Sequence, residues 1–246
     1  MKELKHLADI INNYDTFVID LWGVIHNGVD LYPNAIKAID QLKKNSKKIV
    51  FLSNAPRPSV KVINFLLKMK MDKKYLENVI TSGEAAMHAI NQKKYGKTFY
   101  HLGPVRDTSV FEKLKNNRTD LKNCDFILCT GLFDEYDNDL DYYKNFLQNH
   151  TSKKLICTNP DLIVHRGSEE ELCAGSIAKV FEDIGGEVIY FGKPHKEVYN
   201  MCFNAKEKVL AIGDNLRTDI KGANNLKIDC IFISDGVHRK EFNNFS

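Results

Sequence analysis

The sequence contains no long hydrophobic run, although 43% of its 246 residues are hydrophobic. A membrane-spanning helix needs about 20 consecutive apolar residues, and no stretch of the chain approaches that length. The first residues also lack the apolar core of a secretory signal peptide. We therefore expect a soluble, cytoplasmic protein with no membrane partner.

Cysteine pairs and concentrated charge are also lacking. The six cysteines show no C-x-x-C spacing, and in a cytosolic chain such residues are usually small buried hydrophobic groups, so we expect neither a disulfide nor a zinc site. The formal net charge is only +3, and the excess lysines are spread along the chain. Because nucleic-acid binding requires clustered basic residues with interleaved aromatics, no nucleic-acid partner is expected.

Two aspartates end short apolar runs that lie far apart in the chain. Asp20 follows the run at 17–19, and Asp214 follows the run at 209–213. Runs of this kind, bounded by turn residues, are typical of strands buried on both faces of a parallel sheet. Ligands of such sheets bind outside the carboxyl ends of the strands, where two carboxylates can hold one hard cation. The pattern predicts a magnesium-assisted phosphate site.

Two further apolar runs end in residues that suit a phosphate site. The run at 48–52 is followed by Ser53 and Asn54, whose hydroxyl and amide can bond phosphoryl oxygens, although by itself such a pair is typical of a turn. The run at 188–191 leads to Lys193, and the proline after it predicts a sharp strand-to-helix junction. We expect the Lys193 ammonium at the same carboxyl edge as the two aspartates.

In this order, these residues resemble the haloacid dehalogenase superfamily, and more narrowly its class IIA branch of NagD-like phosphatases. The resemblance covers nearly the whole chain and includes Asp20, Ser53, Lys193 and the pair Asp214 and Asp219. The segments at 158–161 and 173–176 are similar to the end of that branch's cap domain. The resemblance implies a phosphohydrolase that acts on a small phosphorylated metabolite through an aspartyl-phosphate intermediate.

The expected roles follow from this resemblance and from the chemistry of each group. Asp20 is the expected nucleophile, because a carboxylate can attack phosphorus and form an acyl phosphate that water then opens. Mg²⁺ and Lys193 would neutralise the charge of the phosphoryl oxygens. The metal would be held by Asp20, the backbone carbonyl of Trp22 and Asp214. Asp219 would act through a water or orient Lys193, and a first-turn aspartate favoured by the helix dipole is a compatible alternative.

The two ends of the chain show alternating strand and helix patterns. Strands are predicted at 15–21, 48–53, 187–191, 207–213 and 228–233, and helices at 33–45, 59–70, 195–204 and 217–226. This alternation predicts an α/β core with a doubly wound, Rossmann-like parallel sheet. The roughly one hundred residues between the two ends can support a core of their own. We therefore predict a core of residues 1–80 and 186–246 and an inserted α/β cap domain of residues 81–185.

Other polar residues are candidates for contact with the substrate. Asn159 and Asp161 belong to a loop-borne Asn-Pro-Asp turn, which presents polar groups in a fixed arrangement. Four basic residues could bind an anionic part of the substrate, although a solvated surface position is the simpler explanation for each: His165, Arg166, His195 and Arg217. The sequence names neither the substrate nor the oligomeric state, and a homo-oligomer is compatible with it.

The first motif departs from the phosphatase pattern of the superfamily. That pattern is Asp-x-Asp, whose second aspartate protonates the leaving alcohol, and Trp22 stands in its place. An indole is no titratable acid, and general acid catalysis is typically worth about 10²- to 10⁴-fold. His26, just beyond Trp22, could donate the proton or could instead satisfy the backbone of its own loop. Two alternatives follow. The protein is either a phosphohydrolase, which is slow or uses another acid, or a non-catalytic phospholigand-binding protein. A third reaction, dehalogenation, is disfavoured by the retained metal carboxylates.

Overall fold

The structure is a computed structural model that describes residues 3–166 and 169–236. Strands and helices alternate along most of these ranges. The strands are β1 (Thr16–Ile19), β2 (Lys48–Ser53), β3 (Val79–Thr81), β4 (Phe99–Leu102), β5 (Phe126–Cys129), β6 (Lys154–Cys157), β7 (Ile163–Arg166), β8 (Glu169–Leu172), β9 (Glu187–Tyr190), β10 (Val209–Gly213) and β11 (Asp229–Phe232). The α-helices are α1 (Pro33–Lys44), α2 (Ser59–Lys68), α3 (Ser82–Asn91), α4 (Leu140–Leu147), α5 (Ala174–Asp183), α6 (Lys196–Tyr199) and α7 (Lys221–Leu226).

The first sheet has five parallel strands in the order β11-β10-β1-β2-β3. The chain proceeds from β1 outward in one direction through β2 and β3, and in the other through β10 and β11. Strand order therefore reverses at β1, and a crevice opens beyond the carboxyl ends of β1 and β10. This arrangement confirms the predicted doubly wound α/β fold.

Side chains of the first sheet alternate between its two faces. Phe17 and Ile19 of β1 pack with residues of α1 and α2, whereas Val18 packs on the opposite face with residues of α3. Helix α1 begins at Pro33, whose fixed φ suits the first helical position, and it buries Ile39 against the sheet. Because both faces are covered, β1 and β10 are buried at every position and are mostly apolar, as the sequence pattern indicated.

The second sheet has four parallel strands in the order β4-β5-β6-β9, and β7 and β8 form a separate antiparallel pair. Strand β9 pairs in parallel with β6, from Lys154 opposite Glu187 to Cys157 opposite Tyr190. The prediction that 187–191 is a strand of the core sheet is therefore wrong. A buried parallel strand has the same apolar pattern in either sheet, so its partner cannot be read from that pattern.

The two sheets share one hydrophobic cluster. Val18 and Leu52 of the first sheet belong to the same buried cluster as Phe99 and Phe126 of the second, together with residues of α3 and α6. The division of the chain at 81 and 185 into a core and a cap domain stays a prediction. Among the described residues, no helix combines the length and the apolar character that crossing a membrane requires.

Candidate active site

Three aspartates meet at the crevice between β1 and β10. Asp20 directly follows β1, and its N–H donates a hydrogen bond to the carbonyl of Ile212 in β10 (2.9 Å). Asp214 directly follows β10, and Asp219 lies in the π-helical turn Leu216–Ile220. The side chains are buried, and one carboxylate oxygen from each lies within 4.8 Å of the others. The structure thus brings together the three carboxylates that the sequence proposed as metal ligands.

Lys193 reaches this cluster from the segment between β9 and α6. Its Nζ lies 2.5 Å from Oδ1 of Asp20 and 2.7 Å from Oδ1 of Asp219. The residue is only 3% exposed. The lysine therefore lies at the carboxyl edge of the first sheet, as predicted, although the strand that leads to it belongs to the second sheet.

Burial and mutual charge set the ionisation of this group. Burial raises the pKa of Asp20 well above its ordinary value, Lys193 opposes that rise, and the neighbouring Asp219 and Asp214 carboxylates add to it. Burial by itself would lower the pKa of Lys193, but Asp20 and Asp219 raise it well above its ordinary value. Lys193 stays protonated, and its single charge faces three carboxylates. Three buried acids with oxygens within 4.8 Å of one another fit a divalent cation, because such an ion favours their ionised forms and supplies positive charge beyond that of the one lysine.

The chain after Asp20 passes directly against Asp214. A Cβ atom on Gly23 would lie 2.1 Å from Oδ2 of Asp214, and the φ of Gly23 is +88°. Only glycine tolerates both the conformation and the contact. The peptide between Trp22 and Gly23 is therefore adjacent to the acid cluster, which is compatible with the predicted use of the Trp22 carbonyl as a further oxygen ligand.

Ser53 and Asn54 lie at the end of β2, the other neighbour of β1. The Ser53 hydroxyl accepts a hydrogen bond from the N–H of Ala55 (3.2 Å). The Asn54 amide contacts the main chain of Lys193 and the carboxylate of Asp161, so that both of its N–H groups are used. The side chain of Asn159 accepts a hydrogen bond from the N–H of Asp161 (3.1 Å), which holds their loop in its turn. Contact of these four residues with a substrate stays a prediction.

His26 is surrounded by aromatic rings and by its own loop. Its Nδ1 accepts a hydrogen bond from the N–H of Gly28 (3.0 Å), and its ring lies edge-on to those of Trp22 (5.0 Å) and Phe65 (5.6 Å). Burial lowers its pKa from 6.5 to about 4. The imidazole is therefore neutral at neutral pH, and the geometry supports the alternative in which His26 satisfies its loop rather than donating a proton.

The low pKa of His26 predicts acid-sensitive stability. Between its unfolded pKa of 6.5 and its folded pKa of about 4, the unfolded chain binds a proton that the folded protein excludes. This group should therefore lower the free energy of unfolding as the pH falls through this window, by up to about 1.4 kcal/mol per pH unit. In His26→Gln, a side-chain oxygen can still accept the Gly28 N–H, but the titration is gone. Denaturant melts from pH 7 to 4.5 should show a weaker pH dependence for the variant; equal slopes would contradict the assignment.

An open cavity of about 610 Å³ lies beside the Lys193 segment. It brings together His195 and Arg217, the two basic residues named from the sequence whose side chains the structure describes, with Lys196 and Lys221. The ring of Tyr190 stacks on His195 with the ring centres 5.4 Å apart. The side chains of His165 and Arg166 lie outside the described residues.

The sequence patterns missed two polar contacts near the end of β2. Arg57 pairs with the buried carboxylate of Asp107 through Nε (2.6 Å), and burial raises the pKa of that carboxyl. Ser82 is fully buried and donates a hydrogen bond to the carbonyl of Asn54 (2.9 Å). Ser82 directly follows β3, so its place at a strand end was the signal that could have identified it.

Comparison with known proteins agrees with this geometry. Residues 17–116 match the family model described as haloacid dehalogenase-like hydrolase, and residues 190–244 match a second, HAD-hydrolase-like model. The acid sugar phosphatase of Staphylococcus haemolyticus is 27% identical, over 92% of this chain and 88% of that protein. The 5'-nucleotidase YutF of Bacillus subtilis is 24% identical, over 94% of this chain and 91% of that protein.

A solved structure extends the match to the whole fold. The crystal structure of a haloacid dehalogenase-like hydrolase from Brucella suis superimposes with a TM-score of 0.89 and is 30% identical, covering 96% of this chain and 91% of that one. The chain belongs to the haloacid dehalogenase-like family of hydrolases.

Proposed function

We propose that this protein, a haloacid dehalogenase-type phosphatase, is a magnesium-dependent phosphohydrolase that works through an aspartyl-phosphate on Asp20. The observation that carries the proposal is the placement of the Asp20 carboxylate at the crevice, with Lys193 bonded to it and Asp214 and Asp219 beside it. The phosphatase names of the curated relatives favour an enzyme over a non-catalytic phospholigand-binding protein.

The proposed reaction has two displacements at phosphorus. In the first, a carboxylate oxygen of Asp20 attacks phosphorus, the ester P–O bond breaks, and the leaving oxygen takes a proton from solvent or from an acid. In the second, water attacks the acyl phosphate, which releases inorganic phosphate and restores the Asp20 carboxylate. Lys193 contributes in both, because its buried ammonium can donate hydrogen bonds to phosphoryl oxygens as negative charge moves onto them.

The residues that would hold the metal are Asp20 and Asp214, with the Trp22 carbonyl as a further donor. Asp219 would act on the metal through a water or orient Lys193. When bound, Mg²⁺ would neutralise charge on the phosphoryl oxygens and on the carboxylates around them. The fit rests on the donor set, since hard oxygen ligands with excess negative charge are what Mg²⁺ prefers in proteins.

The substrate class we propose is a small phosphate monoester, either a sugar phosphate or a nucleoside monophosphate. The relatives named above are a sugar phosphatase and a nucleotidase, and the present chain covers about nine-tenths of each. Contact of Ser53, Asn159 or Asp161 with such a substrate belongs to the same proposal.

A substrate screen tests the proposal. The purified protein is incubated with sugar phosphates, nucleoside monophosphates and aryl phosphates, with Mg²⁺ or with a chelator, and released phosphate is followed to single-turnover times. We expect metal-dependent release from at least one class. If no class yields phosphate in wild-type protein above the level of Asp20→Asn, the proposed function is wrong.

Asp214→Asn should weaken Mg²⁺ binding by at least about 10-fold, because it removes one anionic ligand without changing the size of the side chain. Titration calorimetry on the protein without substrate measures this directly. The control is Asp72→Asn, an exposed carboxylate at the start of a 3-10 helix. An Mg²⁺ titration of Asp214→Asn that matches wild type would place the metal elsewhere.

A further inference from the structure

The side-chain amide of Asn54 pairs with the main chain of Lys193 at two points. Its Oδ1 accepts the Lys193 N–H (2.8 Å), and its Nδ2 donates to the Lys193 carbonyl (3.2 Å). Asn54 is 4% exposed and comes from the end of β2, 139 positions earlier in the chain. A buried side-chain amide that bonds both the backbone N–H and the backbone carbonyl of one residue fixes that residue's main chain, as the hydrogen bonds of a neighbouring strand would.

Asp161 completes this contact from the loop after β6. Its Oδ1 accepts the second N–H of Asn54 (3.0 Å). The loop packs closely here, because a Cβ on Gly192 would lie 2.7 Å from Oδ1 of Asn54 and 2.8 Å from Cδ of Pro160, and the φ of Gly192 is +115°. Glycine at 192 is thus what allows the β2 end, the Asp161 loop and the Lys193 segment to meet.

The far end of Lys193 makes the contacts that matter for chemistry. Its Nζ lies within hydrogen-bonding distance of Asp20 and Asp219 at once. A lysine side chain has four rotatable bonds, and holding its end between two carboxylates costs conformational entropy. A backbone fixed at both polar groups reduces that cost, because it determines where the side chain starts and in which direction it leaves.

We propose that Asn54 is a positioning residue for Lys193 and that Asp161 holds the Asn54 amide in the orientation this requires. This inference rests on the proposed function, because it concerns the lysine of the same site. It replaces the sequence-based expectation that the Asn54 amide donates to a phosphoryl oxygen, since both of its N–H groups are used within the protein. Ser53, whose hydroxyl proton is not used in the contact with Ala55, remains the phosphoryl-binding candidate of the pair.

A double-mutant cycle tests whether Asn54 acts through the lysine. Single-turnover rates with an aryl phosphate are measured for wild type, Asn54→Ala, Lys193→Ala and the double variant. Asn54→Ala should lower kcat by about 10- to 100-fold with a smaller change in KM. The double variant should be less than about 2-fold slower than Lys193→Ala. Losses that multiply in the double variant would show that Asn54 acts on the substrate itself and would overturn the proposal.

Conservative variants separate positioning from folding. Asn54→Asp keeps the size and the acceptor but loses both donors and sets a carboxylate against the Lys193 carbonyl and Asp161, so it should lose kcat as Asn54→Ala does. Asp161→Ala should lower kcat by about 10-fold. Asp161→Asn keeps an oxygen that can accept from Asn54, so it should lower kcat clearly less than Asp161→Ala does. Equal losses for the two Asp161 variants, or an unaffected Asn54→Asp, would contradict the proposal.

A matched control and a structural measurement complete the test. Asn78 donates through Nδ2 to the carbonyl of Ile49 in β2 (3.2 Å), so Asn78→Ala removes a similar amide contact away from Lys193. It should lower stability but leave kcat unchanged. A crystal structure of Asn54→Ala should show Nζ of Lys193 displaced from Asp20 or Asp219, and retention of both contacts would refute positioning even if wild type proved inactive. Failure of the proposed function is read separately, from wild type against Asp20→Asn.

Discussion

Replacement of Asp20 by asparagine should abolish turnover and leave the fold intact. The amide has nearly the size of the carboxylate but is not a nucleophile, so the acyl phosphate cannot form, and the loss should be on the order of 10⁴-fold or more. The fold should survive because the N–H of Asp20 still donates a hydrogen bond to the carbonyl of Ile212, and β1, which precedes Asp20, is buried at every position. The measurement is phosphate release at single-turnover times, with circular dichroism and a thermal melt to verify folding.

Asp15 provides the matched control. It lies just before the amino end of the same strand, where its carboxylate accepts a hydrogen bond from the N–H of Lys208 (3.0 Å). Asp15→Asn should lower stability slightly and leave turnover unchanged. Mass spectrometry of rapidly quenched enzyme should place a phosphoryl group on the peptide that contains Asp20 in wild type. Turnover by Asp20→Asn at even a few per cent of the wild-type rate would exclude this mechanism.

The placement of Asp20 and Asp214 could be predicted because each of them directly follows a buried strand. Asp20 and Asp214 follow β1 and β10, which pair in register from Thr16 opposite Val209 to Ile19 opposite Ile212. Parallel strands bring their carboxyl ends to one edge, so a local pattern was sufficient to bring residues distant in sequence together. Lys193 was also correctly placed at this edge, because it belongs to a junction that the following proline restricts.

What could not be predicted depends on contacts between segments with the same local pattern. The strand before Lys193 pairs with β6 rather than with the core sheet, and its apolar residues suit both partners. The helix predicted at 195–204 is reduced to α6, Lys196–Tyr199, and the one at 217–226 begins as a π-helical turn before α7. The orientation of the Asn54 amide depends on Lys193 and Asp161, which no pattern around residue 54 encodes. Tertiary contacts decided each of these features.

Trp22 and His26 bear directly on the chemistry of the leaving group. By the resemblance drawn from the sequence, Trp22 stands where a phosphatase of the family would carry its acid. Its ring lies edge-on to the ring of His26, with the ring centres 5.0 Å apart. His26 has a pKa of about 4, and its Nδ1 already accepts a hydrogen bond. A general acid must carry its proton when the ester bond breaks. With a pKa of about 4, His26 is deprotonated at neutral pH and has no such proton to donate. We therefore expect neither residue to supply the missing proton.

The rate of hydrolysis should therefore depend strongly on the leaving group. An aryl oxide leaves without a proton, whereas an alkoxide needs one, so aryl phosphates should be hydrolysed about 10²- to 10⁴-fold faster than alkyl phosphates of similar size. The measurement is kcat/KM for matched aryl and alkyl esters in wild type, His26→Gln and Trp22→Asp. His26→Gln should leave the ratio unchanged, and Trp22→Asp, which restores a carboxyl at the family position, should raise the alkyl rate selectively.

If His26→Gln instead slows alkyl esters alone, and the wild-type alkyl rate falls as the pH rises above about 4, then His26 is the acid after all. Alkyl and aryl esters hydrolysed at equal rates would mean that a proton donor other than these two residues acts in the site.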